Sequence, residues 1–400
     1  MQEVAKAGAH TVSRRRFLGA GAAGVLTALG GPVGADQPPT TTRSVSVGKR
    51  RLGKTGLMVP QVGFGSYNLS NPRLVDAAID AGVTLIETAA SYQNGRAEET
   101  IGQVMKRRRG DVILGTGWKP DEKATSDELL SQLDGSLKRL QTDYVDLIRA
   151  YDVTRPSQLD NPSLYEAFEK ARRAGKARHL GLSSHSSEQQ EAILDKAIET
   201  GRIAYVMVKY NFMEFPHIFE LFERADKAGI GIVVFKTGAG ERQKEMDDLR
   251  QREKLTLKQA SIRWALTNPH VASVLTTARS FEQIREYAAA GTGGALTTQQ
   301  SRLLREYRHR FDREYCRYCG RCSGACPAGV DVDRTMRYAM YHDYYDAPDE
   351  ARRLYTCLDS AQRAGACSEC AGPCRAACPH GLDVPKQLMA AHHRLSLGLT

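Results

Sequence analysis

The stretch YVDLIRAYDVTRPSQLDNPSLYEAFEKARRAGKARHLGLSS, residues 144–184, holds the unit from which the rest of the fold is read. Tyr144 to Tyr151 is an apolar run of strand length, Leu164 to Ala174 carries apolar residues at helical spacing, and Ala177 to Ser184 is a second strand-like run. The same alternation extends outward in both directions. Further strand-like runs lie at Gln61 to Ser66, Thr84 to Glu87, Val112 to Trp118, Ala204 to Tyr210, Gly231 to Lys236 and Val271 to Thr276. Helical segments lie between them, among them Arg73 to Ala81, Asp127 to Leu140, Gln189 to Thr200 and Leu257 to Leu266. Eight strands alternating with helices over roughly 240 residues have the size and rhythm of a (β/α)8 barrel, an α/β fold. A doubly wound open sheet is the alternative, but no GxGxxG opens a helix after the first strand.

All nine cysteines lie at or beyond Cys316, after the chain has turned helical and charged from about Ser301. Cys316, Cys319, Cys322 and Cys326, followed by Pro327, give CxxCxxCxxxCP, the spacing that wraps thiolates around an iron–sulfur cube. Cys367, Cys370, Cys374 and Cys378, followed by Pro379, repeat it with a longer middle gap. The fourth cysteine of such a run commonly serves the other cube. Disulfides suit this close, doubled spacing poorly, and zinc leaves the fourth cysteine of each run unexplained. The expectation is two [4Fe-4S] clusters in a small, mostly α-helical ferredoxin-like domain over residues 301–396. Cys357 is left over, as a spare buried thiol or a substitute ligand. Between the runs, Met336, Tyr338, Met340, Tyr341, Tyr344, Tyr345 and Leu354 stand at helical spacing and read as core.

At the other end, Ser13-Arg14-Arg15-Arg16-Phe17-Leu18 precedes a Gly/Ala-rich apolar stretch that ends in Val33-Gly34-Ala35. This looks like a twin-arginine export signal over residues 1–35, too short and glycine-rich for a membrane span. Residues 36–48 have linker composition. That pathway carries folded proteins, which clusters assembled in the cytoplasm require, so export to the periplasm or cell envelope is expected, with no stable membrane span after the signal is removed. The chain remains basic without Lys6, Arg14, Arg15, Arg16 and Glu3. The only other basic run, Lys106 to Arg109, closes a predicted helix and has no aromatic interleaving, which argues against nucleic acid as a partner.

Arg51-Leu52-Gly53-Lys54-Thr55-Gly56-Leu57 with Val62-Gly63-Phe64-Gly65 resembles the opening of an aldo/keto reductase. So do Glu87 to Tyr92 with Glu98, Glu99 and Gly102 behind it, Asp143 to Leu147, Gly181 to Ser184, and Ser280 to Glu286. The resemblance covers residues 49–292. It implies a barrel in which a tyrosine protonates a carbonyl, an aspartate and a lysine tune its pKa, a histidine positions the substrate, and NADPH delivers hydride. Tyr92 stands at the tyrosine position. Glu87 replaces the aspartate, Gly117 the lysine and Tyr151 the histidine, and Lys119, two residues after Gly117, is the cation within reach along the strand. For the nucleotide, the resemblance points to Ser183 at the carboxamide, Ser184 in place of an asparagine, Met207 in place of a glutamine, Phe235 against the nicotinamide ring, and Arg279 and Gln283 near the adenosine phosphate. NADP(H) is thus implied by the resemblance, while the altered residues and the expected export argue against it.

Two readings result. One is an exported iron–sulfur oxidoreductase of the aldo/keto reductase type, acting on a small carbonyl substrate and exchanging electrons with a partner protein not named by the sequence. The other is a catalytically inactive barrel scaffold whose cluster domain serves electron transfer or complex assembly.

Overall fold

The computed structural model describes residues 47–397, except 120–121, 214–217, 241, 243, 249–250, 252–255 and 346. The expected signal, and the linker as far as residue 46, lie outside the described residues.

All eight apolar runs form strands, and they close into one parallel barrel. After a short antiparallel hairpin of β1 (Lys49–Arg51) and β2 (Met58–Pro60), the barrel strands are β3 (Val62–Gly65), β4 (Leu85–Glu87), β5 (Ile113–Trp118) and β6 (Val145–Ala150). They continue with β7 (Ala177–Ser184), β8 (Tyr205–Lys209), β9 (Gly231–Phe235) and β10 (Val271–Thr276), which pairs back onto β3. The helices between them bury their apolar faces outside the barrel. In α3 (Ser126–Leu140), a Thr125/Glu128 capping box fixes the start, and Leu129, Leu133, Leu137 and Leu140 pack inward against strand residues such as Ile148 and Ala150.

The hairpin, which periodicity did not reveal, plugs the N-terminal end. Leu52 and Val59 join Leu85, Leu147, Tyr205 and Val233 in an apolar layer inside the barrel. Strand alternation then places Glu87, Arg149, Met207 and Phe235 one layer further up, at the C-terminal end where such barrels carry their sites.

The cysteine region is packed onto this end and shares its core. Helix α9 (Thr298–Phe311) sends Leu303, Tyr307 and Phe311 into one cluster with barrel-side Phe212, Met246 and Leu257. Tyr307 Oη donates to Ala239 O at 2.6 Å, and Arg308 donates to Phe212 O at 2.6 Å. Helix α10 (Val332–Tyr344), capped by Asp331, packs with α11 (Pro348–Thr356) and α13 (Val384–Leu395) around Ala339, Ala351, Tyr355, Ala391 and Leu395. So small a helical region buries little surface alone, and the barrel completes its core. Among the described residues, no helix is long and apolar enough to cross a membrane.

Candidate functional site

A buried ion pair sits above the apolar plug. Arg149 on β6 and Glu87 on β4 are 1 % and 2 % exposed, and Arg149 Nη1 donates to Glu87 Oε2. The register explains how both fit. Gly115 lies across from Glu87, and a Cβ there would stand 2.1 Å from the carboxylate. Gly117 pairs with Arg149, and a Cβ there would meet Arg149 Cγ at 3.3 Å. Two glycines on β5 thus make the space that two long side chains fill. Burial raises Glu87 to about 7 although Arg149 works against it.

Tyr92, from the turn after β4, lies over this pair. Its ring is edge-on to Tyr67 at 5.5 Å and to Tyr151 at 6.0 Å. Burial raises its pKa. Arg149 is the strongest opposing influence, Glu87 adds to the rise, and a hydrogen bond from Tyr151 favours the phenolate. Tyr151 itself is pushed well up by burial. Three of the four residues expected to act together, Tyr92, Glu87 and Tyr151, are therefore gathered. Lys119, exposed just past β5 with its backbone N–H donating to Gln132, lines the same cavity as Tyr92 and Tyr151, and the cation acting most strongly on Tyr92 is Arg149.

These groups open into a cavity of about 1390 Å³ whose far side belongs to the cysteine region. Arg334, Arg337, Tyr338 and Tyr341 of α10 line it together with Tyr344, Tyr345 and Leu354. The tyrosines expected in the core are thus the roof of the barrel mouth, while Met336 and Met340 are buried as expected. Tyr341 reaches furthest, with its ring 6.0 Å from Tyr67 and its hydroxyl accepting from Lys236 Nζ at 3.0 Å. Beside it, His185 Nδ1 pairs with Asp152 at 2.8 Å. Burial, reinforced by Lys236, lowers His185 to about 4, so it stays neutral near pH 7. Burial acts to raise Asp152, but His185 holds it well below the usual carboxylate range.

The five side chains expected at a nucleotide are all engaged by the protein. Ser183 Oγ accepts from Asp152 N at 3.1 Å, and Ser184 Oγ accepts from Ser186 N at 3.2 Å. Phe235 packs against His185 at 4.8 Å. Arg279 donates to Tyr345 O, and Gln283 accepts from Arg279 N at 2.7 Å. Ser183, Phe235, Arg279 and Gln283 line the barrel cavity together with Met207.

All nine cysteines are free thiols. Cys316, Cys319 and Cys322 of the first run and Cys378 of the second ring a single pocket, covered by Val332, Met336, Leu382 and Val384. Cys326, in turn, acts electrostatically on Cys367 and Cys374 of the second run, which also feel Cys370. The fourth cysteine of each run thus lies toward the other run. Backbone N–H groups point at sulfur in both sets, from Tyr318 to Cys316 and from Gly372 to Cys370, each at 3.4 Å. Among the described residues, no group of His, Cys, Asp or Glu is gathered for a single metal ion. Cys357 belongs to neither set. It is exposed and faces the barrel cavity.

The sequence reading missed Arg149, Asp152, His185, Tyr67 and Tyr341. Arg149 was detectable as a charge on the same strand face as Leu147 and Tyr151. The other four depend on contacts between segments far apart in the chain.

Comparison with known proteins agrees with this architecture. The model of the aldo/keto reductase family matches residues 63–247. An uncharacterised oxidoreductase of Bacillus subtilis, YqkF, is 28 % identical over 303 residues, covering 65 % of this chain and 96 % of that protein. The aldo-keto reductase YhdN of the same organism is 32 % identical over 161 residues, covering 35 % of this chain and 48 % of that protein. Among solved structures, an aldo-keto reductase of Bacillus halodurans in its holo form aligns with TM-score 0.55 at 24 % identity, covering 65 % of this chain and 96 % of that one. One from Klebsiella pneumoniae in complex with NADPH aligns with TM-score 0.54 at 24 % identity, covering 65 % and 95 %. The aldo/keto reductase family model thus runs along this chain from β3 through β9 of the eight-stranded barrel, and the solved structures share its fold.

Proposed function

We propose that this chain is an exported iron–sulfur oxidoreductase of the aldo/keto reductase type, in which Tyr92 is the general acid for a small carbonyl substrate. The observation that carries the reading is the position of Tyr92, at the barrel mouth over a buried ion pair and under a helix whose other face lines the cysteine pocket. A carbonyl oxygen within reach of Tyr92 Oη would take its proton, and the Tyr151 hydrogen bond would stabilise the phenolate left behind. The hydride for the carbonyl carbon would be supplied by a reduced nicotinamide nucleotide, which Ser183 and Phe235 at the cavity wall would hold. Tyr341 and the roof helix would shield that transfer from water.

The donor set of the two cysteine groups fits two cubic clusters, one held by Cys316, Cys319, Cys322 and Cys378, the other by Cys326, Cys367, Cys370 and Cys374. When bound, such clusters supply electrons singly to a partner protein or receive them from one. Export rests on the twin-arginine pattern at Arg14 to Leu18. The test is iron analysis of native protein taken from the cell envelope, together with carbonyl turnover of Tyr92→Phe. About eight irons per chain are expected, and a visible absorbance that dithionite bleaches. Colourless, iron-free protein removes the cluster assignment, and unchanged turnover in Tyr92→Phe removes the acid role.

A further inference from the structure

A guanidinium sealed inside a barrel calls for an explanation beyond stability, because a well-packed apolar pair in the same volume is often as stable as a buried ion pair. Arg149 is also incompletely paired. Its Nε and the Oε1 of its partner Glu87 have no hydrogen-bond partner in the protein. What surrounds the guanidinium is phenol: it acts electrostatically with Tyr92, Tyr151 and Tyr205, and its Cζ stands 5.4 Å from the Tyr151 ring centre.

We propose that Arg149 is the fixed positive charge that tunes Tyr92, supplied from β6 because β5 offers only Gly117 at the adjoining position. This rests on the reading of Tyr92 as the acid and deepens it. The two positions crowd one another, so that a side chain at 117 requires its neighbours to shift by a few tenths of an ångström. Residues 117 and 149 are direct register partners, and any side chain at 117 presses on both Arg149 and Tyr151, with its Cβ 3.3 Å from Arg149 Cγ and 3.1 Å from Tyr151 Cβ. In this chain β6 places the cation here. The change of residue type matters chemically. A buried lysine readily loses its proton, whereas an arginine stays charged at every pH at which the fold survives. Arg149 acts through Tyr92 and is a positioning residue. Glu87 orients the guanidinium and limits its effect on the phenol.

The role is tested by replacing Tyr92 in the full chain with a fluorinated tyrosine, whose lower pKa brings its titration into an accessible range, and following that one residue by fluorine NMR. Arg149→Met keeps the length of the side chain and removes its charge, and should raise the titration of residue 92 by about one to three pH units. Arg149→Lys should restore only part of the difference, because the buried amine loses its proton more readily than a guanidinium. The double change Gly117→Lys with Arg149→Met should do so from the neighbouring strand. Glu87→Gln, which leaves the guanidinium in place without its counter-charge, should move the titration downward. An unmoved titration in folded Arg149→Met overturns the proposal. If that variant does not fold, an unchanged or upward shift in Glu87→Gln overturns it instead. The readout is independent of turnover. A shift of the expected sign in a protein that reduces no carbonyl supports the role of the arginine and removes only the reductase reading.

Discussion

The barrel and the cysteine region hold their chemistry by different means. In the barrel, Glu87 and Arg149 sit on strands whose backbone ladders fix them whether or not anything is bound. In the cysteine region the eight thiols stand on loops, short turns and helix ends, and five of them are only partly buried. One site is preorganised by register, whereas the other would be organised by what it binds. Metal binding in such a region is folding free energy.

The sharpest way to break this contrast is to challenge the proposed clusters with a chelator. A chelated protein should lose protection of residues 298–395 against protease while the barrel remains resistant, and a barrel that fails at the same step would show that the two regions depend equally on metal. At a single ligand, Cys378→Ser should cut iron from about eight to about four per chain by emptying the pocket built mainly from the first run, since that pocket borrows this sulfur. If the second run is the one emptied, the crossed arrangement is wrong. On the barrel side, Glu87→Ala leaves Arg149 buried without its counter-charge and should cost about 3–5 kcal/mol by chemical denaturation. At the seam, Tyr307→Phe leaves Ala239 O without its donor and should cost about 1–3 kcal/mol.

The smallest effect expected is a pH dependence with two opposed limbs. Glu87 rises from 4.5 to about 7 on folding, so its protonated form favours the folded state, and its contribution declines as pH climbs through that window. His185 falls from 6.5 to about 4, so its contribution is present above the upper value and is lost as pH drops through the lower one. The two offset one another between pH 4.5 and 6.5. Denaturation midpoints across this range should therefore be nearly level in the native chain. They should rise steadily with pH in Glu87→Gln and fall in His185→Gln.

All eight strands and most helices between them were legible because buried strands and amphipathic helices leave a periodic trace. Leu129, Leu133 and Leu137 announce α3, and Val145 to Ala150 announces β6. The β1–β2 hairpin escaped because strands of three residues carry too little pattern. Tyr92 and the cysteine runs were legible from local spacing. His185 against Asp152, and Tyr341 against Lys236, were not, since each pair joins residues 33 and 105 positions apart. The altered positions at Gly117 and Tyr151 looked like losses in one dimension. In the fold, β6 brings the Arg149 guanidinium beside Tyr92 and Tyr151, and α10 covers the mouth.

Helix α10 serves two masters. Val332, Asp333 and Met336 face the thiol pocket, and Arg334, Arg337, Tyr338 and Tyr341 face the barrel. A rod about 10 Å across is then all that divides the two chambers. Neither half is a portable cassette, because exchanging the cysteine region for a foreign one would unroof the barrel.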